Sequence, residues 1–484
     1  MVRRVLVSGE VVLVERVSTG VSGLDDVLEG GFPKGSLIVL AGNPGTGKTV
    51  FAAQFIYRGA AGQDEPGVYV SFAENREAFI ENMKGFGFNF ETLEKKGKFR
   101  FLDLLTVREA GVSTVLSTVV DAVEEVKAKR LVLDSYTALA QAFEKPFDSR
   151  IVTHTLLGKI VRQAGCTSLI IGEVPYGCTR IGTGMEEFVA DGVLLFRAGE
   201  LDGRLFRDLE IKKMRGTRIA QNTVAFTLHR GFEAFPKFVE KPLSGVFKPI
   251  PDSTEKFSSG STDLDRLLDG GYPKGSTVLL EMGLNVSTLQ YHLLLTVAWN
   301  FIANDRPVFV IPSSGVDPNL ILNRARDAGF SEEKIERLIR ICEFKGLVVQ
   351  KHPCLIEFKG ESLEEDFQTD LHVASEAHAR TGQPILHIIG VDRIISYYGL
   401  VEALKILNLS ISLARQHGDL MFFLLKPSIH DVSANLNSIV DVHFKVVREH
   451  GALLVYGLKP RTQVNFVEID TSAGYTVPKL TPIS

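Results

Sequence analysis

Cysteine is scarce in this sequence: Cys166, Cys178, Cys342 and Cys354 are the four among 484 residues, and no two form a CxxC pair. That spacing argues against a disulfide framework or a structural zinc site and suits a reducing compartment. Long apolar runs are missing too, since no stretch approaches the roughly 18 uninterrupted apolar residues of a membrane span. The opening MVRRVLVSGEVVLVERV is broken by Glu10, Glu15 and Arg16. Ser8-Gly9-Glu10 reads there as a turn between two short strands, not as part of a signal peptide. Nor is there an excess charge of one sign. The formal net charge is −4, which supplies no global attraction to nucleic acid or an anionic membrane. The expectation is a soluble cytoplasmic protein without a membrane partner. What is present is an ordinary globular composition, 45% hydrophobic and 23% charged. The chain is long enough for two or three domains.

It also repeats itself. STGVSGLDDVLEGGFPKGSLIVL, from Ser18, matches SSGSTDLDRLLDGGYPKGSTVLL, from Ser258, so that Gly35 falls on Gly275, 240 residues on. Leu24/Leu264, Asp25/Asp265 and the whole of Pro33-Lys34-Gly35-Ser36 are shared. A period this long means a tandem domain duplication, not a solenoid. Between the copies Pro236, Pro242, Pro249 and Pro251 remove backbone donors and favour extended chain. The expected organisation is a first domain over 1–240, a linker over 241–257 and a second domain over 258–484. In each copy, short continuous apolar strands alternate with amphipathic helices. That pattern predicts an α/β fold, a mostly parallel sheet flanked by helices on both faces.

Chemistry is concentrated in the first copy. Gly42-Asn43-Pro44-Gly45-Thr46-Gly47-Lys48-Thr49 follows an apolar strand and opens a helix, the context that the phosphate-binding loop GxxxxGK[ST] requires. Its glycines let successive N–H groups turn toward phosphate oxygens at the positive end of the helix. Lys48 is placed to reach the β- and γ-phosphates of ATP, and Thr49 to ligate Mg²⁺. Asp134, which ends the strand LVLD, is the second expected Mg²⁺ ligand. Lys213 and Arg215 alternate in LEIKKMRGT, so both can point to one face of a strand before Gly216 turns the chain. Fixed cations of this kind stabilise a transferring phosphoryl group.

The string STG…LD…GG.P.GS…GNPGTGKT, with Lys213-Met214-Arg215-Gly216-Thr217, resembles the RecA/RadA superfamily and specifically its KaiC branch. The resemblance covers nearly the whole chain and implies two tandem RecA-like P-loop domains. It also implies an ATPase using ATP and Mg²⁺, with Thr217 among the nucleotide contacts. In such proteins the lysine and arginine of the second segment act across a subunit boundary, which implies a ring homo-oligomer, a hexamer. The resemblance further implies a regulatory or signalling output through a protein partner, which the sequence does not identify. KaiC-like domains usually carry paired glutamates after the second strand, the first of which polarises the attacking water. Here the string is SFAEN, with Ala73 first and Glu74 second. Glu74 is the candidate base. If the strand runs on unbroken its side chain faces away, and a bend after Ala73 brings it back. Slow turnover is expected.

Two other functions fit the resemblance less well. A single-stranded-DNA-binding recombination mediator would use GEVPYGCTRIGTGMEE, which holds Glu173, Cys178 and Arg180. One arginine against Glu186 and Glu187 is a poor phosphate-tracking surface. A clock-type autokinase needs hydroxyl acceptors before Asp191 or Asp441. EEFVAD has none, and NSIVD has Ser438 without an intact phosphate loop. In the second copy Asn285, Ser287, Thr288 and Leu289 stand where the first has Gly45, Gly47, Lys48 and Thr49, and Gly390 stands at the Asp134 position. Nucleotide binding is expected to fail there, although Lys459 and Arg461 keep a basic pair. His154 and Trp299 read as ordinary helix and core residues.

Overall fold

The computed structural model describes residues 2–7, 10–104, 112–137, 165–177, 190–238, 245–286, 290–345, 352–472 and 475–484. The chain forms two compact units, one of Met1–Lys237 with His450–Ala452 and Pro482–Ser484, the other of Phe238–Glu449 and Leu453–Thr481. Cys178 and Arg180 of the recombinase-like loop, and His154, lie outside the described residues, as do Ser287, Thr288 and Leu289.

The first unit has a small sheet of β1 (Val2–Val7), β2 (Glu10–Val17) and β3 (Phe32–Pro33). Its large sheet contains β4 (Leu37–Gly42), β5 (Gly67–Ser71), β6 (Phe99–Asp103), β7 (Arg130–Asp134), β8 (Thr167–Glu173) and β9 (Gly192–Leu201). It is completed by β10 (Arg204–Met214), β11 (Thr223–Thr227) and β12 (Glu233–Phe235), in the order β12-β11-β10-β9-β4-β8-β7-β5-β6. From β9 to β6 every described pairing is parallel, and β10 and β11 add on antiparallel. β4 is buried at all six positions, between β8 and β9. An apolar run such as LIVLA satisfies that demand, because a central parallel strand meets helices on both faces. On one face the helix Lys48–Gly62 buries Phe51 and Phe55 among Phe32, Phe196 and Phe232. On the other, Val115, Val119 and Val123 of the helix Val112–Glu125 pack on Val39, Val68 and Leu131.

The second unit repeats this plan. A two-stranded ribbon, β13 (Lys256–Phe257) with β14 (Tyr272–Pro273), precedes β15 (Thr277–Met282), β16 (Val308–Ile311), β17 (Ile339–Phe344) and β18 (Leu355–Phe358). Then come β19 (Leu386–Gly390), β20 (Leu420–Leu425), β21 (Val442–Glu449), β22 (Ala452–Lys459), β23 (Asn465–Asp470) and β24 (Val477–Pro482). The sheet order is β18-β17-β16-β19-β20-β15-β21-β22-β23-β24. β15 lies between β20 and β21 as β4 lies between β8 and β9, so these are two tandem RecA-like domains. Of the proline-rich stretch between the repeated phrases, Phe247 is buried in the second core, with its amide bonded to Ala328.

The repeated phrase is a piece of architecture. Gly31 has φ +118°, and a Cβ there would come within 2.2 Å of the Val17 carbonyl oxygen; Gly271, at +111°, meets the Phe257 oxygen at the same distance. Asp25 accepts bonds from the Thr19 amide at 2.7 Å and the Ser18 hydroxyl at 2.5 Å, and Asp265 accepts the same two from Ser259 and Ser258. Bonds to a charged acceptor contribute roughly 1.5–3 kcal/mol. These residues build a corner that both copies need, whatever chemistry follows it.

Candidate functional site

The phosphate loop lies at the C-terminal end of β4, where open α/β sheets place ligands. Gly42 has φ +154° and passes so close to Phe196 that a Cβ would fall 2.4 Å from its carbonyl oxygen. Gly47, at φ +97°, leads into the helix that begins at Lys48 with no side-chain cap on its first amides. The loop's carbonyls are tied back within the chain. Lys48 Nζ donates to the oxygens of Gly42 at 2.8 Å and Asn43 at 2.7 Å. The Tyr176 hydroxyl donates to Pro44 at 3.3 Å and Arg207 to Gly45 at 3.0 Å, while Asn43 Nδ2 donates to Val174 at 2.8 Å. The Thr46 hydroxyl adds a bond to the Asn43 oxygen at 2.8 Å. With its carbonyls held this way, the loop is left to present N–H groups, the donors a phosphate needs.

Thr49 and Asp134 meet as their sequence pattern predicts. The Thr49 hydroxyl lies 2.9 Å from Oδ2 of Asp134, and Tyr69 donates to the same oxygen at 2.6 Å. Mg²⁺ requires octahedral oxygen ligands at about 2.0–2.1 Å, which puts neighbouring ligand oxygens about 2.9 Å apart. The pair therefore fits that ion, which would supply charge neutralisation beside the phosphates. Burial raises the Asp134 carboxyl above the usual range, opposed by the Tyr69 and Thr49 hydrogen bonds and the Lys48 charge. Burial likewise lowers Lys48, opposed by Glu173 and Asp134.

Glu74 resolves the alternative posed by SFAEN. β5 ends at Ser71 and the chain bends through residues 72–74, with the amides of Ala73 and Glu74 both donating to the Ser71 hydroxyl at 3.3 and 3.0 Å. The bend thus comes before Ala73 is passed, and strand alternation does not govern Glu74. Its half-buried carboxyl is raised by burial and by the charge of Asp134, and it accepts from Asn82 at 3.3 Å. Ala73 is exposed.

The basic pair lies elsewhere. β10 carries a bulge between Ile211 and Lys213, then buries Met214 between half-buried Lys213 and exposed Arg215. Arg215 pairs with Asp191 at 3.2 Å, and Asp191 accepts the Leu37 amide at 3.0 Å. Leu37 begins β4 and Gly42 ends it. Five residues at about 3.3 Å each separate the two edges by roughly 16 Å, beyond an arginine's reach. Thr217 sits with the basic pair, not with the phosphate loop. Buried Arg16 donates to its hydroxyl and to the Gly216 carbonyl, both at 2.6 Å, and pairs with Glu29 at 3.4 Å.

Four participants escaped the sequence reading. Arg16, Tyr176 and Arg207 act through contacts distant in sequence and carry no local motif. Glu173 was set aside with the recombinase-like loop, yet it pairs in register with Gly42 and its charge reaches Lys48 and Asp134. Strand-end alignment with the phosphate loop was the one signal that could have found it.

The second unit is arranged differently at the same edge. Lys426 follows β20 where Glu173 ends β8, and its ammonium lies 3.6 Å from buried Asp392 and donates to the Ser314 oxygen. Asp392 also accepts the Ser314 amide at 2.9 Å. Gly390, at the end of β19, offers no ligand. Lys459 donates to the Val440 carbonyl, beside Asp441, which accepts the Thr277 amide as Asp191 accepts that of Leu37.

Parts of the chain match family models and known proteins. Residues 17–232 match the family model described as the KaiC ATPase, and residues 246–335 match one described as GvpD basic region 2. A UPF0273 protein of Methanopyrus kandleri is 36% identical over 254 residues, covering 49% of this chain and 99% of its own. The circadian clock oscillator protein KaiC of Thermosynechococcus vestitus is 33% identical over 277 residues, 55% of this chain and 52% of the clock protein. The crystal structure of a KaiC-like protein from Pyrococcus horikoshii is 38% identical over 46% of this chain and 100% of its own, with a TM-score of 0.43. With the phosphate loop, its lysine and its paired hydroxyl and carboxylate assembled on such a sheet, the chain belongs to the KaiC-like family of the RecA-like ATPase superfamily.

Proposed function

We propose that the protein binds MgATP in its first unit and hydrolyses it slowly, within a ring of identical subunits. Lys48 and the loop amides hold the phosphates, Thr49 and Asp134 hold the metal, and Glu74 orients the attacking water. Lys213 and Arg215 of each subunit serve the nucleotide of its neighbour, with Thr217 beside them. The observation that carries this reading is the placement of Arg215 and Lys48 at opposite ends of β4. A cation that stabilises a phosphoryl group must come within hydrogen-bond distance of it. One chain cannot bring both to the same phosphate, and a second subunit can. A closed head-to-tail ring satisfies every such interface at once, and six is the number the family resemblance implies.

The output of such a ring is regulatory, with nucleotide state altering its shape or its affinity for a protein partner. The second unit assembles without turning over nucleotide, since a fold survives the loss of a site whose residues the core does not use. The test is to mix Arg215→Ala chains with Lys48→Ala chains. Mixed rings contain interfaces with an intact loop on one side and an intact arginine on the other, so part of the ATPase activity returns. Mixed rings that form and stay inactive overturn the assignment.

A further inference from the structure

The second unit holds a polar cluster at the edge of its sheet away from the nucleotide position. It lies where the helices Leu363–Thr381 and Leu400–His417 cross the N-terminal ends of β19 and β20. The cluster consists of His378, His417, His387 and Asp419, and opens into a cavity of about 280 Å³ also lined by Asp370 and Ser410. The ligand atoms of His378, His417 and Asp419 all lie within 4.8 Å of one another. Asp419 is buried, His378 partly so, and His417 is exposed.

Hydrogen bonding fixes the two imidazoles. Nδ1 of His378 lies 3.1 Å from the Gln383 carbonyl oxygen, and Nδ1 of His417 lies 3.0 Å from that of Leu413. A carbonyl only accepts, so each Nδ1 carries the proton and each neutral ring keeps its lone pair on Nε2. Imidazoles that ligate metals are oriented by just such a backbone bond. Nε2 of His378 then faces Oδ2 of Asp419 at 3.2 Å, and Nε2 of His387 is 3.5 Å from the same oxygen. Oδ1 of Asp419 is already used by the Ile385 amide at 2.7 Å. A lone pair and a carboxylate at that separation need a positive charge between them. Zinc-class ions bound at about 2.0–2.1 Å in a tetrahedron hold neighbouring ligands about 3.3 Å apart, close to the 3.2 Å found here.

The duplication supplies an internal control. Ser168 stands against Leu37 and Leu131, as Met421 stands against Thr277 and His387. Cys166 and Leu131 thus occupy the positions of Asp419 and His387 in the first unit, both buried, in an apolar core. The fold does not need a carboxylate and an imidazole at this place. We propose that His378, His417 and Asp419 bind a divalent transition-metal ion of the zinc class at the mouth of the cavity, with His387 orienting the carboxylate. The cysteine pattern that argues against zinc does not bear on a site made of histidine and aspartate.

The test uses the full chain, freed of any affinity tag and held in millimolar Mg²⁺, titrated with Zn²⁺ against a chromophoric chelator and with Co²⁺ by visible absorption. One Zn²⁺ per chain is expected, tighter than micromolar, with Co²⁺ giving the intense d–d bands of a low-coordinate nitrogen and oxygen site. His378→Gln and His417→Gln should each weaken Zn²⁺ at least tenfold, with unchanged circular dichroism. Asp134→Asn and Glu336→Gln should leave uptake as it was, separating this site from the Mg²⁺ site and from exposed Glu332, Glu336 and His352. Absence of uptake by the native chain means that protons alone neutralise the cluster. That result overturns the proposal, as does uptake that survives both histidine substitutions or is lost with Asp134 or Glu336.

Discussion

Arg215 is bound to Asp191, and Asp191 to the amide of Leu37, so this arginine is anchored to the first residue of the strand whose last residue opens the phosphate loop. Arg215 and Lys48 thus sit at opposite ends of β4. Arg215→Ala should therefore leave ATP affinity within about threefold and lower turnover by at least tenfold, since a finger arginine contributes about 10³ to 10⁵ in rate. Equilibrium binding and steady-state hydrolysis on the same preparation check both halves. Equal losses in each would place Arg215 in its own chain's binding site.

Arg16 gives an independent handle on the same loop. It touches Gly216 and Thr217 and lies far from Lys48 in the chain. Arg16→Met should reproduce the kinetic defect of Arg215→Ala while ATP still binds. It should also destabilise the first unit by about 1.5–3 kcal/mol, because the Gly216 carbonyl and the Thr217 hydroxyl lose a charged donor. A denaturant titration and a kcat measurement on the same variant test this. A variant that loses stability but keeps its kcat would leave Arg16 a purely structural residue.

Nucleotide should bind once per chain. Lys48→Ala removes the ammonium that faces the β- and γ-phosphates and should abolish ATP binding in calorimetry. The second unit has no lysine at the equivalent position, and its Lys426 is engaged with Asp392 and Ser314. Two nucleotides per native chain would refute this.

Asp134 and Glu74 both carry carboxyls raised by burial. For Asp134 the unfolded chain releases its proton at lower pH than the folded one. The folded state then holds more protons in that interval, so stability falls as pH rises from the ordinary aspartate value to the raised one. Asp134→Asn should raise Tm at neutral pH in the absence of nucleotide and abolish Mg²⁺-dependent ATP binding. A lower Tm would show that the hydrogen bonds from Thr49 and Tyr69 outweigh the burial of charge. Glu74 must be ionised to orient water. The acidic limb of the rate profile should thus lie above the usual glutamate range and vanish in Glu74→Gln, with turnover reduced and affinity kept. Ala73→Glu should raise turnover by up to about a hundredfold if it restores a better-placed base. Unchanged rates in both variants would put a ring rearrangement or product release in control.

Lys48, Thr49 and Asp134 were legible because a phosphate loop and a strand-end acid are local patterns, each with one geometric meaning. The fold was legible for the same reason, since continuous apolar strands and amphipathic helices alternate in order. Glu74 was half legible: its residue type pointed to a base, but only the bend through residues 72–74 decides where it faces. Arg16, Tyr176, Arg207 and Glu173 were not legible, because their roles depend on segments brought together by the sheet. The His378–His417–Asp419 group is scattered over two helices and a strand end, and no spacing rule unites it.

Lys48 donates to the oxygens of Gly42 and Asn43 in the chain as it stands. A phosphate must therefore compete for protons that are already engaged. The contribution of Lys48 to ATP affinity is the difference between two sets of bonds, not the strength of one. Lys48→Ala should accordingly weaken the nucleotide-free fold as well as the complex, since the Gly42 carbonyl is left to the Val174 amide and the Asn43 carbonyl to the Thr46 hydroxyl. Thermal shifts on adding ATP would then understate how firmly the lysine grips phosphate, because the same ammonium also stabilises the protein to which ATP is added.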